Sequence, residues 1–187
     1  MVNIIFIGAP GSGKGTQSSL LADKLEIPNI STGDILRKEV GDKSEIGNLA
    51  KSYMDSGNLV PDEVMVGIIK SRINEDDCGN GFILDGFPRN FEQAITLDHM
   101  LIGLERKINI VINIDVDDDV LIKRISGRFS CAKCGSVYNH FFKQPKLKET
   151  CDKCGFAEFS SRSDDNENTV RNRLKVYNQN TEGLINL

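Results

Sequence analysis

The amino-acid sequence predicts an α/β protein: a parallel sheet covered by helices, interrupted by two small insertions. Three observations predict it. Apolar, β-branched runs alternate with segments of helical period, the first run passes into a glycine-rich loop that opens a helix, and two stretches break the rhythm. Alternation of this kind is how a parallel sheet acquires its covering helices. The 187 residues suffice for one core carrying small inserted subdomains.

The elements follow in order. Val2–Ile7 and Ile108–Ile114 read as fully buried strands, Gly81–Leu84 as a short one and Pro28–Ser31 as a further candidate. Between them, Gly13–Leu25, Pro61–Glu75, Asn90–Leu101 and Asp117–Ile125 carry a helical period with one polar face. Residues 31–60 are helix-rich and strand-free, which suits a small helical insertion. Residues 127–161 are rich in Cys, Gly, Lys and Phe without a long helical period, which suits a separate lobe. Helical periodicity resumes over Asp164–Ile185, with Val170, Leu174 and Tyr177 on one face and Ser163 or Asp164 as the expected N-cap.

Composition narrows the function. Charged residues are 27%, apolar residues 39% and the net charge −4, an ordinary soluble balance that disfavours a general binder of nucleic acid or anionic membrane. No apolar run reaches the roughly 18 residues that span a bilayer. Met1–Ile7 lacks a basic n-region and reads as a strand, not a signal peptide. Five cysteines without a secretion signal argue against a disulfide framework, and two histidines leave little room for imidazole catalysis.

The loop Gly8-Ala9-Pro10-Gly11-Ser12-Gly13-Lys14-Gly15-Thr16 follows a strand and opens a helix, the context a phosphate-binding P-loop requires. Its glycines turn backbone N–H groups inward, the helix N-terminus favours an anion, and Lys14 brings a mobile positive charge. Gly15 stands where Ser or Thr commonly follows the lysine, so Thr16 supplies the hydroxyl. The expected ligand is a nucleoside triphosphate, held by Gly11, Ser12, Gly13, Lys14, Gly15 and Thr16.

Two CxxC pairs, Cys131/Cys134 and Cys151/Cys154, stand sixteen residues apart with Gly135 and Gly155 after each second cysteine. Such pairs wrap one tetrahedral ion, and Zn²⁺ is the usual occupant of four thiolates. A full coordination sphere makes the metal structural; a remnant or redox pair, or iron, is the alternative. A lobe this small has too little apolar core to fold alone, so the metal substitutes for one.

The loop variant resembles that of nucleoside monophosphate kinases, and further segments agree: Ser31-Thr32-Gly33-Asp34-Ile35-Leu36-Arg37, Asp85-Gly86-Phe87-Pro88-Arg89 with Gln93, and Arg162-x-Asp164-Asp165 with Arg171 and Arg173. Their order and spacing resemble adenylate kinases of the bacterial type with a long zinc-binding lid. The resemblance implies a P-loop core of 1–30, 61–126 and 162–187, an AMP-binding subdomain of 31–60 and a lid of 127–161. It implies phosphoryl transfer from Mg-ATP to AMP, with Mg²⁺ and structural Zn²⁺ as cofactors. Thr32, Arg37, Asn58, Val60, Gly86, Arg89, Gln93, Arg162 and Arg173 would then belong to the AMP site. Arg124, Arg128, Val137 and Tyr138 would join the ATP site. Lys14, Asp85, Arg89, Arg124, Arg128, Arg162 and Arg173 would be catalytic, with Asp85 holding Mg²⁺ through water. The expected protein is a cytoplasmic monomer that binds neither nucleic acid nor membrane.

The chemistry accounts for these residue types. Joining two phosphate chains crowds negative charge, and a guanidinium forks two donors onto phosphate oxygens. A hydrogen bond to a charged group contributes roughly 1.5–3 kcal/mol. Each residue also has a structural alternative: Thr32 as a helix cap, Arg37 as a solvated charge, Asp85 as a turn cap, Gln93 as an exposed helical residue. Arg171 reads better as a surface or salt-bridge residue and Cys78 as a small buried or surface thiol. Two departures from the family stand out. Asn58 occupies a position where many relatives carry Lys, and the family continues beyond the equivalent of Leu187 with a last strand, an adenine-side loop and a helix. Without that strand the sheet would keep an unpaired edge and an exposed apolar face. Competing readings are a kinase for UMP or CMP, whose lids are short and metal-free, a P-loop and zinc-ribbon module that binds nucleic acid, and an inactive fragment.

Overall fold

The computed structural model describes residues 1–186, so the last position of the range 162–187 lies outside the described residues. Four strands form a parallel sheet in the order β2-β3-β1-β4. They are β1 (Val2–Ile7), β2 (Asn29–Ser31), β3 (Gly81–Asp85) and β4 (Ile110–Asn113). β1 lies between β3 and β4, with Ile5 opposite Leu84 and Val111. Alternate side chains serve opposite faces, as the two-residue period of a strand demands. Ile5, Ile7, Phe82 and Leu84 join one core with Ile69, Ile73, Leu97 and Leu101 of helices α4 (Asp62–Ile73) and α5 (Phe91–Gly103). Ile4, Phe6 and Ile83 pack on the other side against Ala22 of α1 (Lys14–Leu25) and against Ile27. Cover on both faces explains why β1 and β3 read as unbroken apolar runs.

The expectation of a fully buried strand at 108–114 is corrected. β4 is shorter, Ile110 and Val111 are 47% and 53% exposed, and among the described residues the strand pairs only with β1. An apolar β-branched run signals a strand; burial depends on what packs outside it, which its own residues do not specify.

The segment after β2 forms two helices, α2 (Thr32–Asp42) and α3 (Glu45–Ser56). They cross at Gly47, where a Cβ would fall 2.0 Å from the Glu39 carbonyl oxygen, so nothing larger than glycine fits. The cap of α2 is Ser31, whose Oγ accepts the Asp34 N–H, and not Thr32.

Helix α6 (Asp118–Ser126) leads into the lobe and α7 (Glu167–Asn180) leads out of it, and the pair buries Leu121, Ile125, Val170 and Leu174 between them. The cap of α7 is Asn166, accepting the Thr169 N–H at 3.0 Å, in place of the expected Ser163 or Asp164. The two earlier residues fit a capping role by type, but Asp164 is engaged elsewhere. α7 stops at Asn180, and Glu182–Asn186 continues as a 3₁₀ turn where an unbroken helix was expected. Thr169 also donates its hydroxyl to the Asp55 carbonyl, tying α7 to α3.

The lobe is a three-stranded antiparallel sheet, ordered β6-β5-β7, of β5 (Arg128–Cys131), β6 (Val137–Asn139) and β7 (Phe159–Ser160). Its apolar interior is small: Tyr138, 3% exposed, with Phe129 and Phe159 beside the cysteines. Among the described residues no helix is long and apolar enough to cross a membrane.

Candidate active site

The glycine loop joins β1 to α1 as its sequence requires. Gly11 and Gly13 adopt φ +81° and +103°, conformations that side chains rarely tolerate, and Gly13 ends the loop as the N-cap of α1. No side chain caps α1 and its first turn carries no acid. Its leading N–H groups and positive dipole end are therefore available to an anion. Lys14 Nζ donates to the Ala9 carbonyl at 3.2 Å, folded back over the loop.

A cleft of about 1360 Å³ runs from this loop past α2 and α3 to the lobe. Arg37, Arg89, Arg124, Arg128, Arg162 and Arg173 all line it together with Lys14. They arrive from α2, the β3–α5 connection, α6, β5, the segment after β7 and α7. Gly11, Ser12, Gly13, Gly15, Thr16, Asn58, Val60, Asp85, Gly86, Gln93, Val137 and Tyr138 line it as well. Thr32 does not. It is fully buried behind the wall, donating its hydroxyl to the Gly86 carbonyl at 2.9 Å, and so holds the β3–α5 connection against α2. Tyr138 reaches the cleft from the lobe's interior, where its hydroxyl donates to Cys151 Sγ. Asn58 is exposed and its amide is engaged by Ser56 and Asn172.

Gathering cations in a buried cleft is costly, and burial and mutual repulsion lower their pKa values. Burial lowers Lys14 to about 8, against the pull of Asp85, with Arg89, Arg173 and Arg128 adding repulsion. Burial and the neighbouring Arg173 lower Arg89 to about 10; burial and Arg128 do the same to Arg162. Asp85, 9% exposed at the end of β3, is raised by burial and restrained by Lys14 and Arg89. Lys14, Arg89 and Arg124 make their direct hydrogen bonds to the Ala9, Gly86 and Ser12 carbonyls, and among the described residues no carboxylate bonds them. A polyphosphate is the complementary ligand for such a site.

The other arginines are held by carboxylates absent from the sequence-predicted site. Asp165 takes Arg128 in a two-pronged pair, its Oδ2 2.7 Å from Nε, and Asp164 takes Arg173 at 2.7 Å. Asp34 pairs with Arg37 at 2.5 Å and approaches Arg162 at 3.6 Å. Adjacent acids after Arg162 were a visible signal for the first two; Asp34 had none beyond its place in the α2 segment. Arg171 stays on the surface, paired with Glu167 one turn away, as expected. Cys78 is buried beneath Arg72, and burial raises its thiol to about 11.

In the lobe the Sγ atoms of Cys131, Cys134, Cys151 and Cys154 lie within 4.8 Å of one another. Cys131–Cys154 and Cys134–Cys151 are 3.6 and 3.5 Å apart. Tetrahedral Zn–S bonds of about 2.3 Å require sulfurs about 3.8 Å apart, so the four thiols fit zinc. The knuckle glycines Gly135 and Gly155 take φ +69° and +72°, as their spacing anticipated. The Tyr138 hydroxyl donates to Cys151 Sγ and lowers that thiol, one of the four that would be thiolates on a metal.

Sequence comparison agrees with this geometry. A family profile described as adenylate kinase matches residues 6–187. An adenylate kinase of Archaeoglobus fulgidus is 53% identical over 184 residues, 98% of this chain and 84% of its own. Those of Methanothrix thermoacetophila and Thermodesulfovibrio yellowstonii are 50% and 49% identical, each over 98% of this chain and 85% of their own. With a family match along nearly its whole length, and with the loop, the cation-lined cleft and the four thiols in place, the chain belongs to the adenylate kinase family.

Proposed function

We propose that the chain catalyses reversible transfer of the γ-phosphoryl group of Mg-ATP to AMP, giving two ADP. The observation that carries it is the convergence of six arginines from six segments on one cleft beside Lys14. In the transfer, an oxygen of the AMP phosphate bonds to the γ-phosphorus as the bond from that phosphorus to the β,γ-bridging oxygen breaks. The electron pair leaves with the ADP β-phosphate. The attacking oxygen is already anionic near neutral pH, so no general base is needed, consistent with the absence of histidine from the cleft.

The loop residues Gly11 to Thr16 cradle the ATP phosphates, with Lys14 on the β- and γ-oxygens. Arg124 and Arg128 hold ATP from the lid's entry, and Val137 and Tyr138 approach its adenine. Arg37 and Arg89, with Gly86, seat the AMP phosphate; Asn58, Val60 and Gln93 line the AMP base side, and Thr32 positions Gly86 from behind. Arg162 and Arg173 bridge the reacting phosphates. The Asp85 carboxylate lies 3.2 Å from where a Gly15 Cβ would stand, an oxygen donor against the phosphate loop that suits Mg²⁺. When bound, Mg²⁺ neutralises charge on the phosphate oxygens.

In this reading residues 1–30, 61–126 and 162–187 are the core, 31–60 the AMP-binding subdomain and 127–161 a lid that excludes water. The net charge of −4 supports a protein that binds neither nucleic acid nor anionic membrane, and in this reading it works as a cytoplasmic monomer. The test measures ADP formation from ATP with AMP, CMP, UMP or GMP, with and without Mg²⁺. AMP- and Mg²⁺-dependent ADP formation is expected; its absence overturns the reading, and a preference for CMP or UMP reassigns the acceptor.

A further inference from the structure

Gln93 is buried in the cleft wall, 1% exposed, with both ends of its amide already occupied. Its Oε1 accepts the Arg89 N–H at 2.7 Å, and its Nε2 donates to Asp62 Oδ1 at 2.7 Å. Asp62 opens α4, and both of its oxygens also receive the Asn90 Nδ2 at 3.1 Å. Asn90 in turn caps α5, its Oδ1 accepting the Gln93 N–H at 2.8 Å. Reversing the Gln93 amide would set its NH₂ against the Arg89 N–H and its oxygen against the Asp62 carboxylate. Each end would meet a like partner in a buried place, which is strongly unfavourable.

A primary amide carries two N–H donors and an oxygen with two lone pairs. After these bonds Gln93 retains one lone pair on Oε1 and one N–H on Nε2. We infer that Asp62 is a specificity-determining positioning residue, which fixes the Gln93 amide in the one orientation that matches adenine and rejects guanine at the acceptor site. The inference rests on the assignment of Gln93 to the AMP site. The six-membered edge of adenine offers an amino donor beside the N1 acceptor; guanine and hypoxanthine offer the O6 acceptor beside an N1–H donor. An acceptor beside a donor, locked in order, pairs with the first edge and leaves two unpaired contacts with the second. A carboxylate can only accept when ionised, so Asp62 enforces the order together with the Arg89 N–H; a carboxamide in its place either donates or accepts, which removes one of the two constraints.

The test substitutes Asp62→Asn and compares kcat/KM for AMP and GMP with Mg-ATP as donor. The AMP-to-GMP ratio should fall by about tenfold or more, since sites that reject by unpaired polar groups discriminate strongly. The KM for Mg-ATP should not move. A second variant, Asn90→Ser, keeps a capping side chain but removes the amide donor that steadies Asp62, and should move the ratio less in the same direction. On the unaltered enzyme, the acceptor order should be AMP, then purine riboside 5′-monophosphate, then IMP. An unchanged ratio in Asp62→Asn of native melting temperature overturns the inference, as does IMP used as well as AMP. Failure of the unaltered enzyme to phosphorylate AMP would instead overturn the assignment beneath it.

Discussion

Lys14 is pulled two ways: burial and three arginines favour its neutral form, and Asp85 favours the charged one. Burial wins in the free protein, lowering the group to about 8 from its ordinary 10.5. A bound polyphosphate reverses the balance and returns the proton. The sign follows from linkage: ligand raises the pKa, so affinity is greatest where the free protein is already protonated. Nucleotide binding should take up protons near pH 8, and affinity should fall as pH rises through that value. Calorimetry in buffers of different ionisation enthalpy measures the uptake, and Lys14→Ala should abolish it along with most kinase activity. Affinity that stays level across that range would show that Lys14 does not meet the phosphates. Asp164 and Asp165 belong to the same scale. They pair with Arg173 and Arg128 at the cleft wall, which fixes where each guanidinium stands beside the loop.

Among elements, the lobe between β5 and β7 depends most on something other than packing. Three short strands enclose only a few aromatic rings, and the four thiols converge where a hydrophobic core would otherwise stand. Removing the metal, or Cys131→Ser, should therefore unfold the lobe at lower temperature and leave the P-loop core intact. Two thermal transitions, with retained triphosphate binding at the loop but lost transfer, are the expected calorimetric and kinetic result. Unchanged melting and turnover in metal-free protein would remove the structural role of zinc. The helix ends show a different dependence. Ser31 and Asn166 are the caps, while the nearby Thr32 and Asp164 are engaged by Gly86 and Arg173. Capping preference by residue type could not decide between adjacent candidates that were all chemically suitable.

At the scale of the whole molecule, β4 is the outermost strand of the sheet among the described residues, with Ile110 and Val111 half exposed. The cleft is likewise a property of the whole molecule: β1 and α1 present the loop, α2 and α3 one wall, α6, α7 and the lobe the other. Lys14 and the six arginines that line the cleft come from seven different segments.

Sequence alone determined what local chemistry can encode. The glycine loop after an apolar strand, the paired cysteines with their knuckle glycines and the alternation of strands and helices each bind neighbours a few residues apart. Their geometry is set by backbone conformations and spacings that the residues themselves impose. Tertiary structure decided what depends on distant partners. It left β4 half exposed, put Thr32 behind the cleft, paired Asp165 with Arg128, and turned the Gln93 amide toward Asp62. Such outcomes are contests for the same hydrogen bond or the same buried space between groups up to 54 positions apart, as with Thr32 and Gly86. Their winner follows from the folded arrangement and is not written at either position.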